Sequence, residues 1–167
     1  LVVKRYNKRR WKKRVIDLMR KGRALHCWSS SFVLADNHVP TPRQLAAVRS
    51  RQGLGRIDYL IGESASGELL LDACLPMTAT QCQRPAQQMA QLFAGMLSGM
   101  WTHGDCKATN FFWDEESGLS VIDLDSIIFH QKSETFDKAF CKELQRFFKN
   151  WQDHPPLHAT FAFELKA

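Results

Sequence analysis

The stretch from His103 to Asp125 constrains the fold of this chain more than any other part. It begins with the sequence HGDCKATN and ends with VIDLD. Between these motifs lie two apolar segments of β type, Phe111–Trp113 and Leu119–Ile122, on either side of a polar turn. Such segments around a glycine-containing turn predict a β-hairpin. Asn110 stands at one foot of this hairpin and Asp123 at the other, so two oxygen-bearing side chains are brought together.

The spacing of these polar residues is typical of phosphoryl transfer. A His-x-Asp motif followed five positions later by Asn, with a further Asp beyond it, is the pattern of a kinase catalytic loop. The reaction needs a carboxylate near the attacking hydroxyl and hard oxygen ligands for Mg²⁺. We expect Asp105 in the first role, and Asn110 and Asp123 in the second. Lys107 could reach the transferred phosphate as a point charge.

Taken alone, the His-Gly-Asp and Ile-Asp-Leu-Asp motifs could each be ordinary loop residues without a catalytic role. The ordered set, with a long amphipathic helix before it and a hairpin inside it, favours the kinase-like interpretation. The chain has 167 residues, enough for one domain or two small lobes. Hydrophobic content of 44% and charged content of 24% are those of a soluble globular protein.

Cysteine usage indicates a reducing compartment. The chain has five cysteines, an odd number, and no Cys-x-x-Cys pair. We therefore expect reduced thiols in the cytosol, and no zinc site, because the histidines show no ligand spacing with them. Neither a membrane-spanning run of about 18 apolar residues nor a secretory signal is visible.

The N-terminal end is strongly basic. Residues 1–23 hold eleven Lys or Arg and one acid, Asp17, whereas the rest holds twelve basic and sixteen acidic residues. From Lys8 to Lys21 the apolar residues fall on one face of a predicted helix. Such a helix can lie on anionic membrane lipid or bind near phosphorylated glycolipid. It can equally be a helix that docks on the rest of the protein and leaves its charged face in solvent. Nucleic acid is not expected, because no aromatic-interleaved motif accompanies the charge.

The first part of the chain predicts a small sheet with helices. The expected elements are a strand over 1–6 bearing Lys4, a helix over Arg23–Asp36, and strands over Leu45–Arg51 and Arg56–Ile61. The helix is predicted to turn Leu25, Trp28, Phe32 and Ala35 inward and to be capped by Asn37. A rigid Val-Pro-Thr-Pro connector at 39–42 precedes the strands, and residues 62–64 stand where a kinase has the hinge between its lobes.

The second part predicts long amphipathic helices around the hairpin. Pro85 opens one whose core positions are predicted at Met89, Leu92, Phe93, Met96, Leu97 and Met100. Residues 127–129 are expected to be buried. A last helix is expected to be capped by Ser133 and ended by His154-Pro155-Pro156. Its predicted inward face consists of Phe136, Phe140, Leu144, Phe147, Phe148 and Trp151.

Four stretches resemble a known family of enzymes. They are VVKRYN at 2–7, VPTP at 39–42, HGDCKATN at 103–110 and VIDLD at 121–125. In this order they resemble the small bacterial kinases of the lipopolysaccharide core, the heptose and Kdo kinase group of the protein-kinase-like superfamily. The resemblance implies an α+β, two-lobed fold with a small, incomplete antiparallel sheet in the N-lobe and a mainly helical C-lobe that carries a metal-binding hairpin. Residues 1–62 would form the partial N-lobe and 63–167 the C-lobe.

The resemblance also implies site roles and a substrate. Lys4 would bind the α- and β-phosphates of ATP, Asp105 would accept the proton of the acceptor hydroxyl with Lys107 beside it, and Asn110 and Asp123 would hold Mg²⁺. The acceptor would be a sugar hydroxyl, heptose, of the lipopolysaccharide core glycolipid. The protein would then work in the cytoplasm, peripherally on the anionic inner-membrane surface through its basic N-terminal helix.

Several positions depart from the kinase pattern. The sequence begins at the strand that should follow a glycine-rich phosphate loop, so we expect the missing strands upstream and a fragment whose own activity is open. The predicted second helix offers no Glu to pair with Lys4. Gly104 replaces the Arg that docks a phosphorylated activation loop, and Leu124-Asp125 replaces Phe-Gly. Two alternatives therefore remain: a kinase acting on another small molecule or a protein, and a non-catalytic pseudokinase or binding module.

Overall fold

A three-stranded antiparallel sheet and one helix make up the first part of the fold. The computed structural model describes residues 1–6, 22–52 and 55–166. The strands are β1 (Val2–Tyr6), β2 (Gln44–Gln52) and β3 (Gly55–Gly62), and the helix is α1 (Arg23–Asp36). Strand β3 lies in the middle of the sheet, with Lys4 of β1 opposite Leu60. All four elements were predicted, whereas the predicted basic helix over 8–21 and the turn at 53–54 lie outside the described residues.

Helix α1 packs through a different face from the one predicted. Its buried residues are Ala24, Cys27, Ser30, Ser31 and Leu34. Leu25 is 37% exposed and Phe32 48% exposed, while Trp28 is half-buried with its ring edge-on to Phe32. The prediction of an inward Leu25, Phe32 and Ala35 is therefore wrong. Mostly small side chains form the buried face of α1 instead. The Ser31 hydroxyl on this face donates a hydrogen bond to the Trp28 carbonyl at 2.8 Å.

The end of α1 follows the sequence prediction. The Asn37 side-chain amide donates to the Val33 carbonyl at 2.7 Å, which satisfies one of the last carbonyls of the helix. The connector 39–42 lies outside the helices and strands, and the Val121 amide donates to the Pro40 carbonyl at 2.8 Å. The connector therefore joins the first sheet to the later hairpin.

The second part of the fold surrounds the hairpin with helices. Its elements are β4 (Glu68–Leu69), α2 (Leu70–Cys74), α3 (Gln83–Ser98), β5 (Trp101–Thr102), β6 (Phe111–Asp114), β7 (Gly118–Val121), β8 (Ile128–Phe129), α4 (Ser133–Lys149) and α5 (Pro155–Glu164). The predicted hairpin is β6 and β7, with Phe111 opposite Val121. Strand β4 pairs with β6, and β5 pairs with β8. None of the helices described within 22–52 and 55–166 is long and apolar enough to cross a membrane.

Helix α3 buries most of its predicted face. Met89, Phe93 and Met96 are almost fully buried, and Leu92 is 7% exposed. Leu97, which was predicted to face the core, is 51% exposed because it lies beyond the edge of the buried stripe. The helix begins two residues before Pro85, and the short strand β5 separates it from His103.

The C-terminal part of the chain contradicts three local predictions. Lys132, not Ser133, is the N-cap of α4. Helix α4 ends at Lys149 and is not the last helix, although it was predicted to be; His154 is the N-cap of a further helix, α5, because proline is well accommodated in the first turn. In β8, Ile128 is 53% exposed and Phe129 40% exposed, so of the three residues predicted to be buried there only Ile127 is.

An aromatic cluster forms the core between α3, α4, α5 and the hairpin. Phe147 is fully buried, with ring centroids 5.5 Å from Phe93, 6.4 Å from Phe111 and 5.2 Å from Phe161. These edge-on arrangements are the favoured ones for aromatic pairs. The cluster fixes the hairpin against the helices. The architecture is α+β as predicted, and the division into lobes at residues 62 and 63 stays a prediction.

We expect Phe147→Ala to lower the free energy of unfolding by about 3–5 kcal/mol, because it leaves a cavity at the centre of this cluster. Phe163→Ala is the control, since Phe163 is 69% exposed on α5 and such a change stays within about 0.5 kcal/mol. Urea denaturation of both variants measures the difference. Equal losses would show that the core lies elsewhere.

The backbone at Gly104 has no room for a side chain. Its φ is +81°, and a Cβ built there would lie 2.3 Å from the Ser126 carbonyl oxygen. We expect Gly104→Ala to lower the free energy of unfolding by about 1–3 kcal/mol. The control is Gly95→Ala within α3, where a Cβ meets nothing within 4 Å and alanine should stabilise the helix by about 0.5–1 kcal/mol. Thermal or denaturant unfolding should show that Gly104→Ala lowers the free energy of unfolding and that Gly95→Ala raises it. Changes of the same sign would contradict the claim that the loop at Gly104 has no room for a side chain.

Candidate active site

A cavity of about 370 Å³ lies between the first sheet and the hairpin. Its walls come from β1, the end of β3, the following residues 63–65 and the feet of the hairpin. Leu60 and Phe112 contribute apolar surface, whereas Lys4, Asn110 and Asp123 contribute the polar groups. A largely apolar cavity with a few convergent polar groups is the usual form of a small-molecule site.

Two predicted site residues meet across this cavity. The Lys4 ammonium forms an ion pair with the Asp123 carboxylate, and both side chains remain about one-third to two-fifths exposed. Asp123 has a φ of +58°, in the left-handed region that few residues other than glycine adopt. Because α1 has no glutamate to offer, Lys4 takes its partner from the hairpin instead.

The loop before the hairpin holds the other predicted residues together. The Asn110 side-chain amide donates to the Asp105 carbonyl at 2.7 Å and to the Asp105 carboxylate at 3.2 Å. The Lys107 ammonium donates to that carboxylate at 3.0 Å. Lys4 and Asp123 thus form one contact pair, and Asp105, Lys107 and Asn110 form a second group joined to it through the hairpin.

Asp105 has the charge state of a proton acceptor at neutral pH. Burial by itself would raise the pKa of Asp105, but the Lys107 ammonium hydrogen-bonded to it lowers that pKa. Asn110 and Arg146 act in the same direction, so the pKa lies below its ordinary value. The carboxylate is therefore ionised, and it is placed on the exposed side of the loop.

His103 connects the loop to the strand that carries Asp123. The ring is 1% exposed, and burial lowers its pKa, although the hydrogen bond to the Ile122 carbonyl opposes this. The neutral ring donates from Nε2 to the Ile122 carbonyl at 2.8 Å, while Nδ1 accepts from the Asp105 amide at 3.3 Å. We assign this tautomer from the two partners. One uncharged ring therefore fixes the spacing between Asp105 and the residue before Asp123.

Two residues that the sequence analysis did not single out also contact this loop. Glu143 accepts a hydrogen bond from the Cys106 amide at 3.0 Å, and Arg146 donates to the Gly104 carbonyl at 3.0 Å. Glu143 falls on the same face of α4 as Phe140 and is only 3% exposed. A charged residue on an otherwise aromatic stripe was the signal in the sequence that could have found it.

The segment after Asp123 is attached to α1. The Arg23 guanidinium pairs with the buried Asp125 carboxylate, and the His26 ring bonds the Ile127 carbonyl at 2.9 Å. Asp125 is one of the positions that depart from the kinase pattern. Here it links the start of α1 to the segment after Asp123.

The feet of the hairpin offer two oxygen ligands to a divalent cation. The Ile122 amide donates to the Asn110 carbonyl at 3.0 Å, which holds the feet together. The Asn110 amide nitrogen donates to Asp105, and both Asn110 and Asp123 line the cavity. Within the described part of the chain, no group of three or more His, Cys, Asp or Glu is arranged to hold a metal. Two protein oxygens nevertheless fit Mg²⁺, which usually completes its shell with phosphates and water.

A solved structure of a protein kinase complex contains a chain of similar fold. The chain is similar to one in the yeast RNA Pol II CTD kinase CTDK-1 complex, with a TM-score of 0.50 and 15% identity over 78% of this chain and 40% of that one. The Cydia pomonella granulovirus kinase PK-1 gives a TM-score of 0.49 and 17% identity over 62% of this chain and 39% of that one. This chain thus spans about two-fifths of the length of these kinase chains. Similarity at 15% identity shows the protein-kinase-like fold alone.

Comparison with family models gives a more specific result. None of the curated proteins compared with the chain matches it. The model of the lipopolysaccharide kinase (Kdo/WaaP) family matches residues 3–156, which include every predicted site residue. The chain therefore belongs to the lipopolysaccharide kinase (Kdo/WaaP) family, as the resemblance of its motifs predicted.

Proposed function

We propose that this protein transfers a phosphoryl group from ATP to a sugar hydroxyl, heptose, of the lipopolysaccharide inner core. One observation carries the proposal: Lys4, Asn110 and Asp123 line a single cavity in a chain of the Kdo/WaaP family. Asp105 is hydrogen-bonded to Asn110 at the edge of that group. In the proposal, this arrangement would provide a proton acceptor, two metal ligands and a cation for phosphate.

Each residue has a separate task in this proposal. Lys4 would exchange its ion pair with Asp123 for phosphate oxygens, and Asn110 and Asp123 would hold Mg²⁺. Asp105 would orient the acceptor hydroxyl and accept its proton, while Lys107 places positive charge beside it. MgATP, when bound, supplies the phosphoryl group. The protein then contributes position and charge, which is most of what phosphoryl transfer requires.

The family and the charge of the chain support the proposed acceptor and the proposed location at the membrane. The lipopolysaccharide core is an anionic glycolipid, and residues 1–23 hold eleven basic side chains. We propose that this basic segment holds the protein peripherally on the cytoplasmic face of the inner membrane. There the sugar of a membrane-anchored acceptor would reach Asp105.

A second candidate is a protein that binds nucleotide without transferring phosphate. The observation in its favour is the contact between Lys4 and Asp123, since a kinase normally pairs this lysine with a helix glutamate. Asp105 and Asn110 are the residue types that a catalytic kinase has at these two positions of the loop, and this favours an active enzyme over a non-catalytic protein. Binding and transfer are therefore measured separately.

We expect Asp105→Asn to reduce phosphate transfer by about 10²–10⁴-fold, because the amide cannot accept the hydroxyl proton. The assay follows label from ATP into dephosphorylated core oligosaccharide, with the protein expressed from its natural gene. Asp137→Asn is the control, since Asp137 is an exposed carboxylate on α4 and its loss should leave the rate unchanged. Equal incorporation by wild type and Asp105→Asn would reject the proposed role.

We also expect nucleotide to raise the melting temperature more with Mg²⁺ than with a chelator. ATP at a hundred times its dissociation constant adds about 2.7 kcal/mol to the stability of the folded state. Asp123→Asn should remove the Mg²⁺-dependent part of this gain, because the metal loses its carboxylate ligand. Asp153→Asn, at an exposed position between α4 and α5, should keep it. A shift that is the same with and without Mg²⁺ would contradict the assigned metal ligands.

A further inference from the structure

Helix α4 holds the main chain of the catalytic loop from both sides of Asp105. Arg146 donates from Nη1 to the Gly104 carbonyl at 3.0 Å, and Glu143 accepts from the Cys106 amide at 3.0 Å. The same Arg146 nitrogen lies 2.9 Å from the second carboxylate oxygen of Glu143. The residues before and after Asp105 are therefore bonded to one ion pair.

This ion pair is not explained by stability. The Glu143 side chain is 4% exposed, and burial raises its pKa while Arg146 opposes that rise. Only the carboxylate of the pair is buried, since the Arg146 side chain is about one-third exposed, and an ion pair with a buried charge is often no more stabilising than apolar residues of similar volume. Its geometry points to orientation instead, because both side-chain hydrogen bonds that the pair makes to other described residues go to the loop.

Arg146 also reaches the reacting group. Its Nε lies 3.7 Å from an Asp105 carboxylate oxygen. This is an ion-pair distance and too long for a hydrogen bond. The Arg146 side chain is 36% exposed and extends from α4 to the edge of the site. Lys107 faces the same carboxylate from the loop itself, so Asp105 is held between two cations.

The main-chain carbonyl that Arg146 contacts belongs to Gly104. Kinases regulated by phosphorylation carry an arginine at this position, whereas here the φ of +81° and the nearby Ser126 carbonyl exclude any side chain. A guanidinium from α4 reaches the carbonyl of that same glycine. A helix residue thus contacts the loop at the position where those kinases carry the arginine.

We propose that Arg146 is a positioning residue, which fixes the loop that carries Asp105 and thereby aims this carboxylate at the acceptor hydroxyl. The inference rests on the proposed function, because it assigns Asp105 the task of accepting the hydroxyl proton. Glu143 is its partner, since it holds the guanidinium and the Cys106 amide in register.

Steady-state kinetics give the first test. Arg146→Ala should lower kcat about 100-fold, because a displacement of about 1 Å at the reacting group costs that much. The KM for ATP should stay unchanged, since Lys4 and the cavity are not altered. Arg146→Lys should recover part of kcat, and Lys142→Ala, at an exposed position on the same helix, should match wild type. Wild-type kcat in Arg146→Ala would overturn the inference.

A double-mutant cycle separates positioning from loss of structure. If Arg146 acts through Asp105, then adding Arg146→Ala to Asp105→Asn should lower the residual rate by about twofold at most. Independent effects would multiply to the full 100-fold further loss. That multiplicative result would overturn the inference even if Arg146→Ala alone is slow.

A third measurement does not depend on activity. Arg146→Met with Glu143→Gln removes both charges together, so no unpaired buried charge threatens folding, and the glutamine oxygen can still accept from Cys106. Hydrogen exchange of peptides spanning residues 103–107 should be about tenfold faster in this variant than in wild type. Unchanged exchange would overturn the inference. If wild type itself transfers no phosphate, the proposed function fails and hydrogen exchange alone decides whether Arg146 fixes the loop.

Discussion

The ion pair between Lys4 and Asp123 is the contact on which the site depends. It joins the edge strand of the first sheet to the foot of the hairpin, across a cavity that separates the two. Because both side chains are partly exposed, the pair contributes little to stability in water. Its importance is geometric: it holds a cation and a carboxylate at one cavity, which is the arrangement that the proposed nucleotide and metal sites require.

The second constraint is the rigidity of the loop around Asp105. The His103 ring ties this loop to the hairpin through the Ile122 carbonyl, and α4 ties it to the aromatic core. Phe147, one turn along α4 from Glu143, packs at the centre of that core. The same helix thus supplies the apolar anchor and the polar contacts to the loop. A site that works by position and charge requires this kind of support.

The sequence predicted the parts of the fold that have strong periodicity or special backbone chemistry. The hairpin, its two polar feet and the aromatic face of α4 were all predicted. The packing face of α1 was predicted wrongly because hydrophobicity favours Leu25 and Phe32, whereas close approach to the sheet favours small residues such as Ala24 and Ser31. The face that a helix buries therefore depends on its tertiary packing, which the hydrophobicity of its own residues does not determine.

The candidate site was predicted in part for a similar reason. Lys4, Asp105, Asn110 and Asp123 are spaced in a known pattern, so they could be named from the sequence. Glu143 and Arg146 act through main-chain atoms 37 and 42 residues away, and no local pattern encodes such contacts. The pairing of Lys4 with Asp123 likewise depends on how sheet and hairpin meet.

The most direct measurement is a crystal structure with an ATP analogue and Mn²⁺, which replaces Mg²⁺ and is visible by anomalous scattering. The account predicts one metal peak about 2.0–2.2 Å from both the Asn110 amide oxygen and the Asp123 carboxylate, with Lys4 moved onto the phosphates. A metal bound away from these two side chains, or an ion pair between Lys4 and Asp123 that persists beside bound nucleotide, would contradict it.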